Sequence, residues 1–581
     1  MEINKRDWLT ITVLSIIFFS VAIWNLGIAQ SPNTTWQATE NNTFYVDFGK
    51  PESVGAVYFL VKNGSANVLV YTGSPDNWSY QQYLNITYPF SYYSWSESAI
   101  NSGTQYVRFS FEQASVEVVE IAALNQDHQK ISITAVTGEG ASDPSLPNLI
   151  DEQNLVQLPP TYMQETYFDE IYFVRTAEQY LKLQTPYEWT HPPLGKLIIA
   201  SGITIFGYNP FGWRVMGVIF ATLMIPLIYI LGKELFGTRI GGFASAFLLT
   251  FDFMHFTMAR MATVDTYVVF FSLASQLFFL IYLKHVLKNG WSAPVLPLFL
   301  AILFFSLGFS TKWLVLYGFA AQLAILAALR LREVSKMRKN LTAKINAFLD
   351  HPYSVISGFL LVAGLVYFLT FIPDMLAGRT LAEVLGLQGA MYNYHATLSA
   401  THTFSSSWWT WPLMLRPLWL YVSTLPNNVT STIVLMGNPL IWWVGFASII
   451  LVVERAIRGK ELARSLWKKL TKKPQGTKST SRGKDLAAIF ITVFFFFQWI
   501  PYVFISRVTF IYHFYVNVPF LCLATAYFIS KYWSSKWVKV TALAYFIGVA
   551  ALFGLFYPVI SGMPAPASSI EGLKWLSGWS F

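Results

Sequence analysis

Residues 215–231 read VMGVIFATLMIPLIYIL, a run without a single charge and close to the ~20 apolar residues that carry a helix across a bilayer. Gly217 and Pro226 interrupt it, as membrane helices tolerate better than soluble ones. Runs of the same kind recur at 9–28, 268–283, 356–371 and 542–559. Across 581 residues the chain is 54% hydrophobic and only 12% charged, a balance that excludes an ordinary water-soluble domain. The net charge of +9 is sorted into short loops rather than spread. Arg330, Arg332, Lys336, Arg338, Lys339 and Lys344 crowd the segment near 330–350. A second basic run, from Arg455 and Arg458 through Lys460, Arg464, Lys468 and Lys473 to Lys484, fills 454–485. Basic loops between apolar spans are the positive-inside signal, so both are read as cytoplasmic, and the charge needs no nucleic-acid partner. The remaining spans then alternate to give about eleven crossings, with the amino terminus inside and the carboxyl terminus outside. Residues 1–30 are read as a first transmembrane helix, being long for a cleaved signal. The single Cys522 falls in a predicted span, which leaves no disulfide framework and no cysteine metal site.

Residues 31–155 break the membrane pattern and, by the topology, lie outside the cytoplasm. Runs at 43–48, 55–61, 66–71, 105–111 and 115–122 are β-rich, with turn signals at Asn63-Gly64 and Gly73-Ser74-Pro75. They predict an extracytoplasmic β-sandwich, and Asn-X-Ser/Thr triplets at Asn33, Asn41, Asn63, Asn77 and Asn85 fit that location. The order FYVDFGKPESVGAVYFLVKNGSANVLVYTGS followed by TQYVRFSFEQASVEVVEIAAL resembles the discoidin-like, galactose-binding jelly roll. Residues 156–210 are amphipathic rather than spanning and are expected to lie along the outer interface as short helices. Residues 211–581 form the transmembrane core.

Two groups of residues carry chemistry. Asp169 and Glu170 are adjacent carboxylates among aromatic residues, and consecutive helical positions point about 100° apart, so one can face a cleft while the other is anchored. A carboxylate shielded from water has a raised pKa and can accept a proton from a hydroxyl. Lys196, Arg214, Arg260, Lys312, Arg416 and Arg507 all fall at the outer ends of spans, against the positive-inside tendency. Six cations on the side of the acidic pair suit an anionic lipid head group. A phosphate leaving group needs positive charge more than a general acid, while the acceptor hydroxyl needs a base. One carboxylate with a cluster of cations therefore fits glycosyl transfer from a lipid phosphate, and differs from the two-carboxylate pattern of glycosidases. His395 and His402 match no zinc spacing, and no metal is expected.

FDEIYFVRTAEQYL, HPPLGKLIIA, ARMATVDTYVVFF, GFSTKW, WWTWPLMLRPLWLY, MGNPLIWW and RVTFIYHFYVNVPF stand in the order seen in the protein O-mannosyltransferases, GT-C enzymes that the segment 160–560 resembles. The resemblance implies inverting transfer of mannose from polyprenyl- or dolichyl-phosphate-mannose to Ser/Thr of secreted or translocating proteins, at the outer face of the cell membrane. It implies no cofactor beyond that donor, and association with the translocation machinery or with a second copy of the chain. Carried onto this sequence, Asp169 is the base and Glu170 its partner; Lys196, Arg214, Arg416, Arg507, Tyr512 and His513 surround substrate and phosphate; His191, Pro192 and Pro193 shape the closing loop. Tyr172 departs from many members, and 373–430 is too short for the β-trefoil of eukaryotic ones, which points to a prokaryotic type. A transferase acting on a lipid or wall glycan is the alternative within the fold. A transporter is less favoured, because no inverted repeats appear.

Overall fold

The computed structural model describes residues 3–87, 91–139, 143–349, 352–458 and 485–581. Lys460 to Lys484 of the second basic run lie outside these. Asn4 opens the first membrane helix, α1 (Lys5–Ile23), through a capping box in which its side chain accepts from the Asp7 amide and Asp7 accepts from the Asn4 amide. Asp7 is fully buried and takes Lys233 at 2.7 Å and the Tyr229 hydroxyl at 2.8 Å. Both partners lie near the end of a later helix, so the amino-terminal end of α1 is pinned to it.

Nine helices among the described residues are long and apolar enough to span a membrane. A bent pair, Arg239–Thr250 and Phe253–Ala259, turns 59° at its break and makes a tenth span if counted as one. The kink has a local cause: Asp252 is extended, accepts from the His255 amide to start the second half, and takes Trp442 Nε1 at 2.8 Å. The expected eleven crossings thus stand against nine or ten among the described residues, and the shorter apolar helices Leu194–Phe206 and Leu296–Phe309 rise only about 20 Å each. The bundle is polytopic and helical as anticipated.

The sheet module follows one of its two turn signals, Gly73-Ser74-Pro75, and departs from the other. Its strands are β1 (Trp36–Thr39), β2 (Thr43–Ser74), β3 (Asn77–Ile86), β4 (Ser94–Asn125), β5 (Lys130–Ile131) and β6 (Ala135–Glu139), with hydrogen-bonded order β1-β4-β2-β3, β5 on β4 and β6 on β2. The predicted runs at 43–48, 55–61 and 66–71 fuse into the 32-residue β2, and those at 105–111 and 115–122 fall within the 32-residue β4. The expected turn at Asn63-Gly64 is instead a bend inside a continuous strand. Gly64 sits at φ +100° and a Cβ there would meet the Ser115 carbonyl at 2.0 Å, so only glycine lets the two strands pass this closely. Alternate residues Phe44, Val46, Phe59, Val61, Val68, Val70, Phe109 and Phe111 point into one core, with Phe59 and Phe109 in edge contact at 4.8 Å.

The module sits on the membrane part through α2 (Glu170–Leu181). Ile171, Phe173, Val174 and Ala177 of α2 pack in a cluster that also holds Leu60 and Tyr93 of the module and Trp213 of the bundle. The Trp95 amide donates to Glu165 at 2.9 Å, and the Tyr92 hydroxyl donates to Glu178 at 2.5 Å. In place of a trefoil, the 373–430 region carries a short helix, a longer one (Leu381–Thr397) and a hairpin strand, Leu418–Leu425, paired with Val429–Leu435.

Candidate active site

The chain enters α2 through Phe168 at φ +49°, a left-handed conformation that is costly for a bulky side chain. The rings of His402 and Phe510 pack against it. From that corner the two carboxylates diverge. Glu170 turns inward and is fully buried. Its Oε1 accepts from Arg214 Nε and the Ala262 amide, both at 2.8 Å, and its Oε2 from Arg214 Nη2 at 2.7 Å and the Tyr167 amide at 3.2 Å. Asp169 stays half-buried and, among the described residues, makes no hydrogen bond through its carboxylate.

Two expected phosphate ligands are spent elsewhere, and a third stands away from the cavity. Arg214 is fully buried and uses all five donors: three N–H groups reach the carbonyls of Leu26, Tyr162 and Glu165, and two reach Glu170. It knots the end of α1, the 162–165 segment and α2 together, and has no donor left for a ligand. Lys196 likewise spends its three protons, at 2.7 Å each, on the Glu188 carbonyl, the Glu188 carboxylate and the His191 carbonyl. Arg416 is exposed and does not line the cavity described below. Arg260, one of the six outer cations, binds the carbonyls of Ala22, Trp24 and Asn25 and so caps the carboxyl end of α1.

The remaining two cations come together. A cavity of about 580 Å³ is lined by Lys312 and Arg507, with His191, Pro192, His395 and His513 around them and Tyr317 and Tyr502 on its wall. Lys312 pairs with Asp265 at 2.8 Å and lies 5.3 Å from the centre of the Tyr512 ring. Tyr512 stacks on His513, which stacks in turn on Trp411. Asp169 lies within electrostatic reach of Asp265, Lys312 and Glu188. Burial, then the charge of Asp265, push its carboxyl up to about 7, with Lys312 working in the opposite direction. The loop 188–193 closes one side. Burial would raise Glu188, but Lys196 and His191 hold its carboxyl well below the usual range, and His395 Nε2 meets the Thr190 carbonyl at 2.8 Å. Burial and the neighbouring His191 push His395 down to about 4, so it offers the cavity a neutral ring. Pro193 is the N-cap of the helix Leu194–Phe206, which fixes where the loop ends. His395 pairs edge-on with His191, whereas His402 packs on Phe168 and Phe510, so the two do not form one ligand set.

Asp265 and Glu188 were not singled out by sequence reasoning. Asp265 stands in ARMATVD, five positions after Arg260, and Glu188 three before His191. Each is read as an ordinary polar residue until its lysine partner, distant in sequence or on the next helix, is placed beside it.

Comparison with known proteins gives the geometry its family. Residues 190–349 match the family described as dolichyl-phosphate-mannose-protein mannosyltransferase, and residues 380–579 match the C-terminal four-TMM region of protein-O-mannosyltransferase. The sheet module and the Asp169-Glu170 corner precede both matched regions. The polyprenol-phosphate-mannose--protein mannosyltransferase of Mycobacterium tuberculosis (strain CDC 1551 / Oshkosh) is 28% identical over 308 residues, 44% of this chain and 58% of that protein. Its namesake in Corynebacterium glutamicum is 24% identical over 311 residues, with the same shares covered. The chain thus spans somewhat over half the length of these curated relatives. The Saccharomyces cerevisiae protein O-mannosyltransferase Pmt1-Pmt2 complex bound to the sugar donor shares the fold, with a TM-score of 0.55 at 13% identity over 72% of this chain and 89% of that one. With two regions of that family matched in order and together covering well over half of the chain, the chain belongs to the protein O-mannosyltransferase family.

Proposed function

We propose that the protein transfers mannose from polyprenyl- or dolichyl-phosphate-mannose to Ser or Thr hydroxyls of proteins, on the side of the membrane opposite the basic 330–350 loop. The observation that carries this reading is a carboxylate, Asp169, that has no hydrogen-bond partner among the described residues and lies within electrostatic reach of Lys312, which lines a cavity together with Arg507. In the step, the acceptor oxygen attacks the anomeric carbon while Asp169 takes the hydroxyl proton. The bond from that carbon to the phosphate oxygen breaks, and the phosphate leaves with the electron pair. Lys312 and Arg507 stabilise the charge that develops on it. Attack opposite the leaving group inverts the anomeric centre. Mannose as the sugar and protein as the acceptor follow from family membership, and pairing with a second copy is in keeping with the two-chain yeast complex.

The full-length protein, reconstituted with polyprenyl-phosphate-mannose and a Ser/Thr-rich peptide, should transfer mannose to the peptide. No transfer overturns the reading, and label found on lipid or glycan instead reassigns the acceptor. Because a base works only when unprotonated, and Asp169 is pushed up to about 7, the rate should rise as pH rises through about 7 and fall below it. Burial also pushes Glu165 up to about 7, although it bonds the Trp95 amide and the Tyr421 hydroxyl. The control is therefore Glu165→Gln, which should keep the profile. Lys312→Met and Arg507→Gln should each raise the donor KM about 10- to 100-fold, the worth of one charge-assisted hydrogen bond of roughly 1.5–3 kcal/mol. An unchanged donor KM in both would remove the phosphate from this cavity.

A further inference from the structure

The sheet module is tied to the membrane part by two stretches of chain, residues 31–36 leading in and 143–156 leading out. They meet at three carboxylates that take no part in the chemistry above. Glu120 of β4 is fully buried, Glu152 half-buried and Asp151 exposed, and one oxygen from each lies within 4.8 Å of the others. Glu152 Oε2 accepts from the amides of Asn33 and Thr34 at 2.7 and 2.8 Å and from the Thr34 hydroxyl at 2.7 Å. Asp151 Oδ1 accepts from the same hydroxyl at 2.8 Å. Glu120 Oε2 accepts from the Glu152 amide at 3.0 Å, while Glu120 Oε1 is buried with no hydrogen-bond partner among the described residues.

A buried carboxylate that lacks a counter-charge is expensive. Lys130 is the cation nearby, but it directs its ammonium to the carbonyls of Gln153 and Val156. A cation among the three carboxylates would supply the counter-charge that none of these hydrogen bonds provides.

We propose that Glu120, Asp151 and Glu152 form a binding site for a hard divalent cation, Ca²⁺ before Mg²⁺, which clamps the incoming and outgoing tethers of the sheet module. The donors are all carboxylate oxygens, with no His or Cys to favour zinc. Oxygens within 4.8 Å of one another leave room for an ion with bonds of about 2.3–2.6 Å, the calcium range, and three carboxylates of differing exposure suit calcium's adaptable shell better than the strict octahedron and retained waters of magnesium.

The test uses the full chain in detergent, stripped with EDTA and dialysed against radioactive Ca²⁺. One Ca²⁺ per chain is expected, with a Kd of roughly 10⁻⁴–10⁻³ M as in extracellular modules, and a melting midpoint that rises with Ca²⁺ more than with Mg²⁺. Asp151→Asn, at an exposed position that keeps the fold, and Glu120→Gln should each weaken binding at least about tenfold. If Glu120→Gln does not fold, Asp151→Asn decides. No saturable binding by the wild type, or binding untouched by Asp151→Asn, overturns the proposal.

Discussion

Asp169→Asn is expected to slow mannose transfer about 100- to 10,000-fold, the range a general base contributes, while donor binding and the melting midpoint stay close to wild type. The carboxamide keeps the shape of the side chain but cannot take the acceptor's proton. Stability should hold because, among the described residues, the Asp169 carboxylate makes no hydrogen bond and its side chain does not cap α2. Removing a shielded charge even relieves some desolvation. Single-turnover transfer with preloaded donor would isolate the chemical step. A variant that keeps its rate, or that melts well below wild type with no effect on the step, would make Asp169 a structural residue and return the search for the base to Glu165 or Asp265.

Arg214→Ala and Glu170→Gln are expected to be damaging for the opposite reason. Each leaves its partner uncompensated in a fully buried site, a loss of about 3–5 kcal/mol. Both should lower the melting midpoint of the protein in detergent markedly and lose activity as a result. Arg214→Lys should not rescue, because three ammonium protons cannot replace five planar donors shared among Glu170 and three carbonyls. If Arg214→Ala melted normally and only the donor KM rose, the phosphate role expected from sequence would be restored. Neighbouring residues of one acidic pair are thus separated by two measurements, one losing chemistry and the other losing fold.

The sequence made the class of fold legible because lipid imposes length and composition on each span, and the basic loops orient them. It was less informative where a span is short or broken, as at Leu296–Phe309 and at the Asp252 kink, since those depend on which neighbours complete the hydrogen bonding. In the sheet module the β-rich segments were readable, but a glycine that marks a turn locally also permits a bend in a long strand, as at Gly64. At the site, residue type announced a cluster of cations without saying which were free. Lys196 and Arg214 look like ligands in one dimension and are satisfied by backbone carbonyls in three. Lys312 and Arg507, of the same types and in similar positions, are the ones that reach the cavity.

The meeting of the tethers at Thr34, Asp151 and Glu152 also bears on ancestry. An insert whose two ends leave from one spot asks its host for almost no extra loop closure. The helical host need not have been reshaped to receive it. A lineage could gain, lose or exchange such a cassette between the first span and α2 with the bundle intact, and comparative genomics should find shorter relatives in which a brief linker joins the two.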